Sequence, residues 1–184
     1  PARRSQVSGV NYQSALNWNV VKRLRKKTKL PLIIKGIATA EDAVIAVDHG
    51  IDIIYISNHG GRQLDQGRGS IDVLPEVVNA VGKRTTIIVD GGFYRGTDIL
   101  KAIALGANAV GLGRLYGFGL AAFGQAGVKR TLEILEEEML SAMALLGITT
   151  LAELSKDYVH PAKPVRVASL TSAFHLFDVD DGPY

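Results

Sequence analysis

At 184 residues, 47% apolar and 21% charged, the chain has the size and composition of one globular domain and not of a disordered segment. It has no Cys, which excludes a disulfide framework and thiolate chemistry. It also has no apolar run long enough to span a membrane and no basic-then-apolar leader, so a cytosolic protein is the plain expectation. The net charge of +3 is concentrated in "KRLRKKTK" (22–29), where no aromatic residues alternate with the cations. A solvated helix face is expected there, with no nucleic-acid partner.

In chain order, an opening helix capped by Ser14 is expected to run to about Lys27. The runs "LPLIIKG" (30–36), "IDIIYISN" (51–58), "RTTIIVDGG" (84–92) and "ANAVGLGR" (107–114) read as buried strands: short, apolar and closed by Gly or polar residues. Near-continuous apolar runs suit parallel strands covered on both faces. Helix patterns lie between them. Thr39, with Asp42 three residues on, opens one that stops at Gly50. Ser70 opens a second, stopped by Gly82, and Thr97 a third, stopped by Gly106. After a Gly-rich turn comes a long amphipathic helix over about 126–146, ending at Gly147, and Thr150 with Glu153 offers a further capped start.

Alternating strands and helices predict an α/β fold with a parallel sheet. Four such units are half of a (β/α)8 barrel, which needs about 250 residues. The expectation is therefore the C-terminal half of a TIM barrel, strands five to eight, over residues 1–154, with 1–13 as a loop remnant and 155–184 as an extended tail. The alternative is a small four-stranded doubly wound domain.

Barrel active sites lie at the C-terminal strand ends. Here those ends carry Lys35, then "SNHGGR" (57–62), then Asp90-Gly91-Gly92, then Gly113-Arg114. The last two form a natural phosphate site: glycines admit backbone N–H groups and Arg114 supplies a planar charged fork. A histidine is a base suited to neutral pH and an arginine fork matches a carboxylate, so His59 and Arg62 set a base and a fixed cation at one strand end. His49, His160 and His175 have no comparable setting, and no metal site is predicted.

The motifs "KGI-TAEDA", "SNHGGRQLD", "DGG--RGTDILKA-ALGA" and "GLGR" together resemble the FMN-dependent 2-hydroxy-acid oxidases and dehydrogenases, over about Ser14 to Leu154. The resemblance implies that an L-2-hydroxy acid is oxidised to the 2-oxo acid with FMN as cofactor. His59 would be the base and Arg62 the carboxylate grip. Lys35 would stand beside the flavin N1–C2=O edge, and Ser57 would contact the cofactor. Asp90, Gly91, Gly92, Tyr94, Gly113 and Arg114 would line its phosphate side. It also implies a homotetramer, and a second segment supplying strands one to four and the carboxylate that faces His59. The sequence departs from the family's usual pattern at Tyr94, which stands where an Arg is usual, and at Leu115, where Pro is usual; Arg95 is the candidate substitute for the first. The alternatives are a non-catalytic phosphate- or nucleotide-binding half-barrel, or another phosphate-binding barrel enzyme.

Overall fold

The structure, a computed structural model, describes residues 16–162. Its elements in order are α1 (Trp18–Lys27), β1 (Ile33–Ile37), α2 (Ala40–Asp48), β2 (Ile53–Ile56), α3 (Ser70–Val81), β3 (Thr86–Asp90), α4 (Gly96–Ala104), β4 (Ala109–Gly111) and α5 (Arg114–Leu146). Three single-turn 3-10 helices follow β2 and α5: His59–Gly61, Leu151–Glu153 and Lys156–Tyr158. The expected Ser14 cap and most of the expected tail lie outside the described residues.

The four strands pair in parallel and in sequential order, β1-β2-β3-β4. A doubly wound sheet would reverse its order at a switch point; this one does not. α2 packs on β1 and β2, α3 on β2 and β3, and α4 on β4. Strand side chains alternate in burial accordingly. Ile54, Ile56, Ile87 and Val89 are fully buried against Ala43, Ala46, Val73, Leu74, Val77 and Ala102 of the helices. Each fully buried Leu, Ile or Val contributes about 1.5–3 kcal/mol. The residues between them, among them Ile33, Lys35, Tyr55, Ile88 and Asp90, are exposed or half-buried on the other face. Among the described residues only the helix side is covered, as expected of four barrel strands without the other four. This is half of a (β/α)8 barrel, with its inward face open.

Local details differ from the sequence expectation in instructive ways. Asn17 caps α1, its side chain accepting from Asn19 N at 3.0 Å. Thr39 caps α2 as expected, accepting from Asp42 N at 3.2 Å. Ser70, by contrast, is the first residue of α3 and not its cap; its hydroxyl accepts from Asn58 N at 3.2 Å, across the sheet edge. α4 begins at Gly96, before Thr97, and Asp98 Oδ2 accepts from Tyr94 N and Arg95 N at 3.1 and 3.0 Å. The last long helix begins twelve residues earlier than about 126, at Arg114, and breaks at Phe123 and Gly124 (φ +57°) before continuing to the left-handed cap at Gly147. Arg25, inside the basic run, is an anchor. It donates to Asp52 Oδ2 at 2.7 Å and to the Gly50, Thr28 and Leu30 carbonyls. His49 stacks beside Trp18 at 5.5 Å, a structural role.

α5 is tied to α4 by one carboxylate. Glu138 accepts from Gly96 N at 2.7 Å and pairs with Arg95 Nη2 at 2.7 Å. A Cβ at Gly96 would fall 2.6 Å from Met139 N, so only glycine allows this approach. The Arg95 hydrogen bond, with the Gly96 N–H behind it, holds the Glu138 carboxyl below its ordinary 4.5. A depressed folded pKa stabilises the fold above that ordinary value, and the contribution is lost as pH falls through the folded one. Glu138→Gln in the complete protein is expected to cost about 1 kcal/mol near neutrality, with the gap to wild type closing as pH is lowered below the glutamate range. Denaturant titrations across pH check this; a gap independent of pH would contradict it.

Candidate active site

The C-terminal strand ends surround a cavity of about 450 Å³, lined by Lys35, His59, Gly60, Arg62, Asp90, Gly91, Gly92, Phe93, Tyr94, Gly111, Gly113, Arg114 and Tyr116. This lies within the roughly 300–1,000 Å³ of small-molecule and cofactor sites. Nine of the ten residues singled out in the sequence line it. Ser57 is the exception, buried directly behind Lys35.

At the floor, Lys35 Nζ donates to Ser57 Oγ at 2.6 Å and pairs with Asp90 Oδ2 at 2.8 Å. It also lies 4.8 Å from the centroid of the Tyr55 ring. Tyr55 reaches the same carboxylate. Burial first, then the Asp90 charge and a hydrogen bond to it, raise the phenol above its usual range. Asp90 Oδ1 is buried with no well-aligned hydrogen-bond partner.

Beyond β2 the chain makes a tight turn. His59, Gly60 and Gly61 have φ of +58°, +69° and +69°. A left-handed non-Gly residue costs about 1–2 kcal/mol, so the turn must be held by its surroundings. Asn58 Oδ1 accepts from Gly61 N at 3.1 Å and Asn58 Nδ2 donates to Arg68 O at 3.2 Å. Ser57 Oγ accepts from His59 N at 3.1 Å. One buried hydroxyl thus joins the lysine to the histidine turn. His59 Nδ1 lies 3.1 Å from Gln63 Nε2.

On the opposite side, α5 starts at Arg114 after Gly113, with no side-chain cap. Its first-turn N–H groups and its positive dipole end are therefore available to an anion. No atom lies within 4 Å of where a Cβ would stand on Gly92 or Gly113. Arg114 reaches toward the histidine turn, its Nη2 3.7 Å from a Cβ placed on Gly60. Tyr94 lines the cavity, whereas Arg95 is turned away into its pair with Glu138. Arg95 is thereby corrected as the candidate substitute for the missing phosphate-side arginine.

Several residues in or behind the cavity were missed from the sequence. Gln63 stood inside a quoted motif, and Tyr55 could have been placed by the two-residue strand period that puts it on the Ser57 side. Tyr116 and Phe93 carried no signal, because only the folded β3 loop and the start of α5 turn them inward.

A half-barrel with an uncapped helix N-terminus, a guanidinium and a lysine around one cavity belongs to the class of phosphorylated-cofactor barrel proteins. The particular family follows from comparison. The model of the FMN-dependent dehydrogenases matches residues 2–161, and the chain belongs to that family, whose cofactor is FMN. It is 47% identical over 148 residues to a peroxisomal (S)-2-hydroxyacid oxidase of Arabidopsis thaliana, covering 80% of this chain and 41% of that one. It is 51% identical over 142 residues to 2-hydroxyacid oxidase 2 of Mus musculus, covering 77% and 40%. Among solved structures, a flavocytochrome b2 variant with sulfite bound superposes with a TM-score of 0.74 at 44% identity, covering 78% of this chain and 38% of that one. A soluble mutant of the membrane-associated (S)-mandelate dehydrogenase from Pseudomonas putida gives 0.76 at 41%, covering 79% and 41%. The chain spans about two fifths of the length of these relatives. Among the described residues no helix is long and apolar enough to cross a membrane.

The residues present fit FMN. The α5 N-terminus with Arg114 suits a phosphate, the unpartnered Asp90 Oδ1 suits a hydroxyl donor, and Lys35 supplies a cation at the floor.

Ser57 gives a test that needs no ligand. Ser57→Ala in the complete protein leaves the Lys35 ammonium and the His59 amide each short of an acceptor, an expected loss of about 1–3 kcal/mol. Denaturant melts and amide exchange at His59 measure it; unaltered stability and exchange would remove Ser57 as the link.

Proposed function

We propose that the complete protein oxidises an L-2-hydroxy acid to the corresponding 2-oxo acid with FMN, and that His59 and Arg62 act on the substrate. The observation that carries this reading is that His59 and Arg62 open onto the same cavity as Lys35 and the α5 N-terminus. FMN, when bound, supplies the acceptor for two electrons. Arg62 offers a bidentate fork to the substrate carboxylate. The substrate gives up two electrons and two protons, one from C2 and one from its hydroxyl; His59, on its strained turn, is the base that takes one proton, and the other leaves with the electrons or to solvent. Lys35 stands with Asp90 and Ser57 at the cofactor's polar edge. Gly91, Gly92, Gly113 and Arg114 take the phosphate, with Tyr94 beside them as a neutral donor.

The reading includes a second segment that supplies strands one to four and a carboxylate facing His59, and it requires that segment for activity. Its support is that, among the described residues, the inward face of the sheet is open and the outer edges of β1 and β4 are unpaired, which natural sheets avoid leaving exposed. Assembly into a homo-oligomer, a tetramer on the family's pattern, belongs to the same proposal.

His59→Gln in the complete protein is expected to slow flavin reduction by roughly 10²–10⁴-fold while FMN stays bound. Arg62→Lys is expected to raise KM by roughly tenfold, because a point charge replaces a fork. Single-turnover reduction that is unchanged in His59→Gln would overturn the assignment.

Arg114→Ala is expected to weaken FMN binding by roughly tenfold or more, the scale of one charge-assisted hydrogen bond. Arg95→Ala is expected to leave it nearly unaltered, since Arg95 is committed to Glu138. Titration by flavin fluorescence separates the two, and the opposite ranking would move the phosphate site to Arg95.

A further inference from the structure

Tyr55, on β2 behind the cavity floor, meets a residue of each of the other three strands. It lies in register with Lys35 of β1 and Ile88 of β3. Its ring supports the Lys35 ammonium at 4.8 Å, the range in which a cation is attracted to an aromatic face. Its hydroxyl reaches Asp90 at the end of β3, and it occupies the space above Gly111 of β4. A Cβ on Gly111 would fall 1.9 Å from the Tyr55 oxygen and 3.0 Å from its Cζ. The phenol slot exists because that residue is glycine.

We propose that Tyr55 is a positioning residue that holds the Lys35–Asp90 pair at the cavity floor, so that the Lys35 charge stays directed at the bound cofactor. This deepens the functional reading above and rests on Lys35 facing FMN. Lys35 can swing on a flexible four-carbon stem, and its side chain is 45% exposed. Three contacts restrain it: the Ser57 hydroxyl, the Asp90 carboxylate and the Tyr55 ring. Tyr55 acts on two of the three, because it is the ring and also a donor to Asp90. By donating, the phenol takes up part of the carboxylate's charge. Less of the Lys35 charge is then neutralised by Asp90, and more of it is felt in the cavity. Without the hydroxyl, Asp90 would bind Lys35 more tightly and draw its field inward.

The test uses the complete protein with FMN bound. Tyr55→Phe keeps the ring and removes only the hydroxyl. The expected result is a shift of the flavin reduction potential to more negative values, since added electrons are stabilised less, with a thermal midpoint close to wild type. A potential that does not move would overturn the proposal, because a purely structural tyrosine has no reason to change it. A second measurement does not depend on FMN. Gly111→Ala is expected to lower the thermal midpoint strongly in the wild-type background and less in the Tyr55→Phe background, where the clashing oxygen is gone. Strictly additive effects would overturn the positioning role. If the wild-type protein failed to bind FMN, the functional reading would fall, while the Gly111–Tyr55 coupling would still decide how the floor is built.

Discussion

Parallel strands joined in sequential order by crossovers of one hand deliver their helices to the same face of the sheet. Everything else in this molecule depends on that constraint. One face receives α2, α3 and α4 and buries Ile54, Ile56, Ile87 and Val89 completely. Among the described residues the opposite face receives no helix, and its side chains answer to one another and to whatever enters the cavity. Lys35, Tyr55 and Asp90 sit on that second face, where a lysine and an aspartate can pair at 2.8 Å without either being sealed from solvent. On the helix side the same pair would carry a desolvation cost of several kcal/mol per ion.

The cavity has a division of labour that follows from where each loop leaves the sheet. The β2 end turns immediately through three left-handed residues and presents His59 and Arg62 on an exposed, stiff loop. The β4 end runs straight into α5, so its first-turn N–H groups meet the cavity with Arg114 beside them. The β3 end lies between and contributes Asp90 to the floor and two glycines to the wall. Cationic groups thus stand at the floor and on two sides of one space. An anionic molecule with more than one polar end is the natural occupant, and the family's cofactor and the proposed acidic substrate both answer to that description.

The Tyr94–Arg95 pair shows how neighbouring residues reach opposite fates. Asp98 binds both backbone N–H groups and starts α4 at Gly96. That start fixes the two side chains on different sides of the chain. Tyr94 lines the cavity, and Arg95 is captured by Glu138 of α5 at 2.7 Å. Charge at the anion-receiving side therefore comes from Arg114 and from the helix end.

By itself the sequence determined the order of elements, the parallel sheet, the half-barrel and nearly the whole set of cavity residues. These are written in local patterns: apolar runs closed by glycine, capping residues such as Thr39, and polar residues clustered at strand ends. It misplaced what depends on distant partners. Ser70 reads as a cap, yet its hydroxyl serves Asn58; Arg25 reads as one more solvated cation, yet it anchors α1 to Asp52. An open inward face was expected of a half-barrel, but only packing showed which side chains point there and which, like Ile54, lie under the helices. Phe93 and Tyr116 gained their places at the site only on folding, and Arg95 is drawn away from it to Glu138. The physical reason is range: caps, turns and strand periodicity are settled within a few residues, whereas the partner of a long side chain is settled by which strands and helices become neighbours.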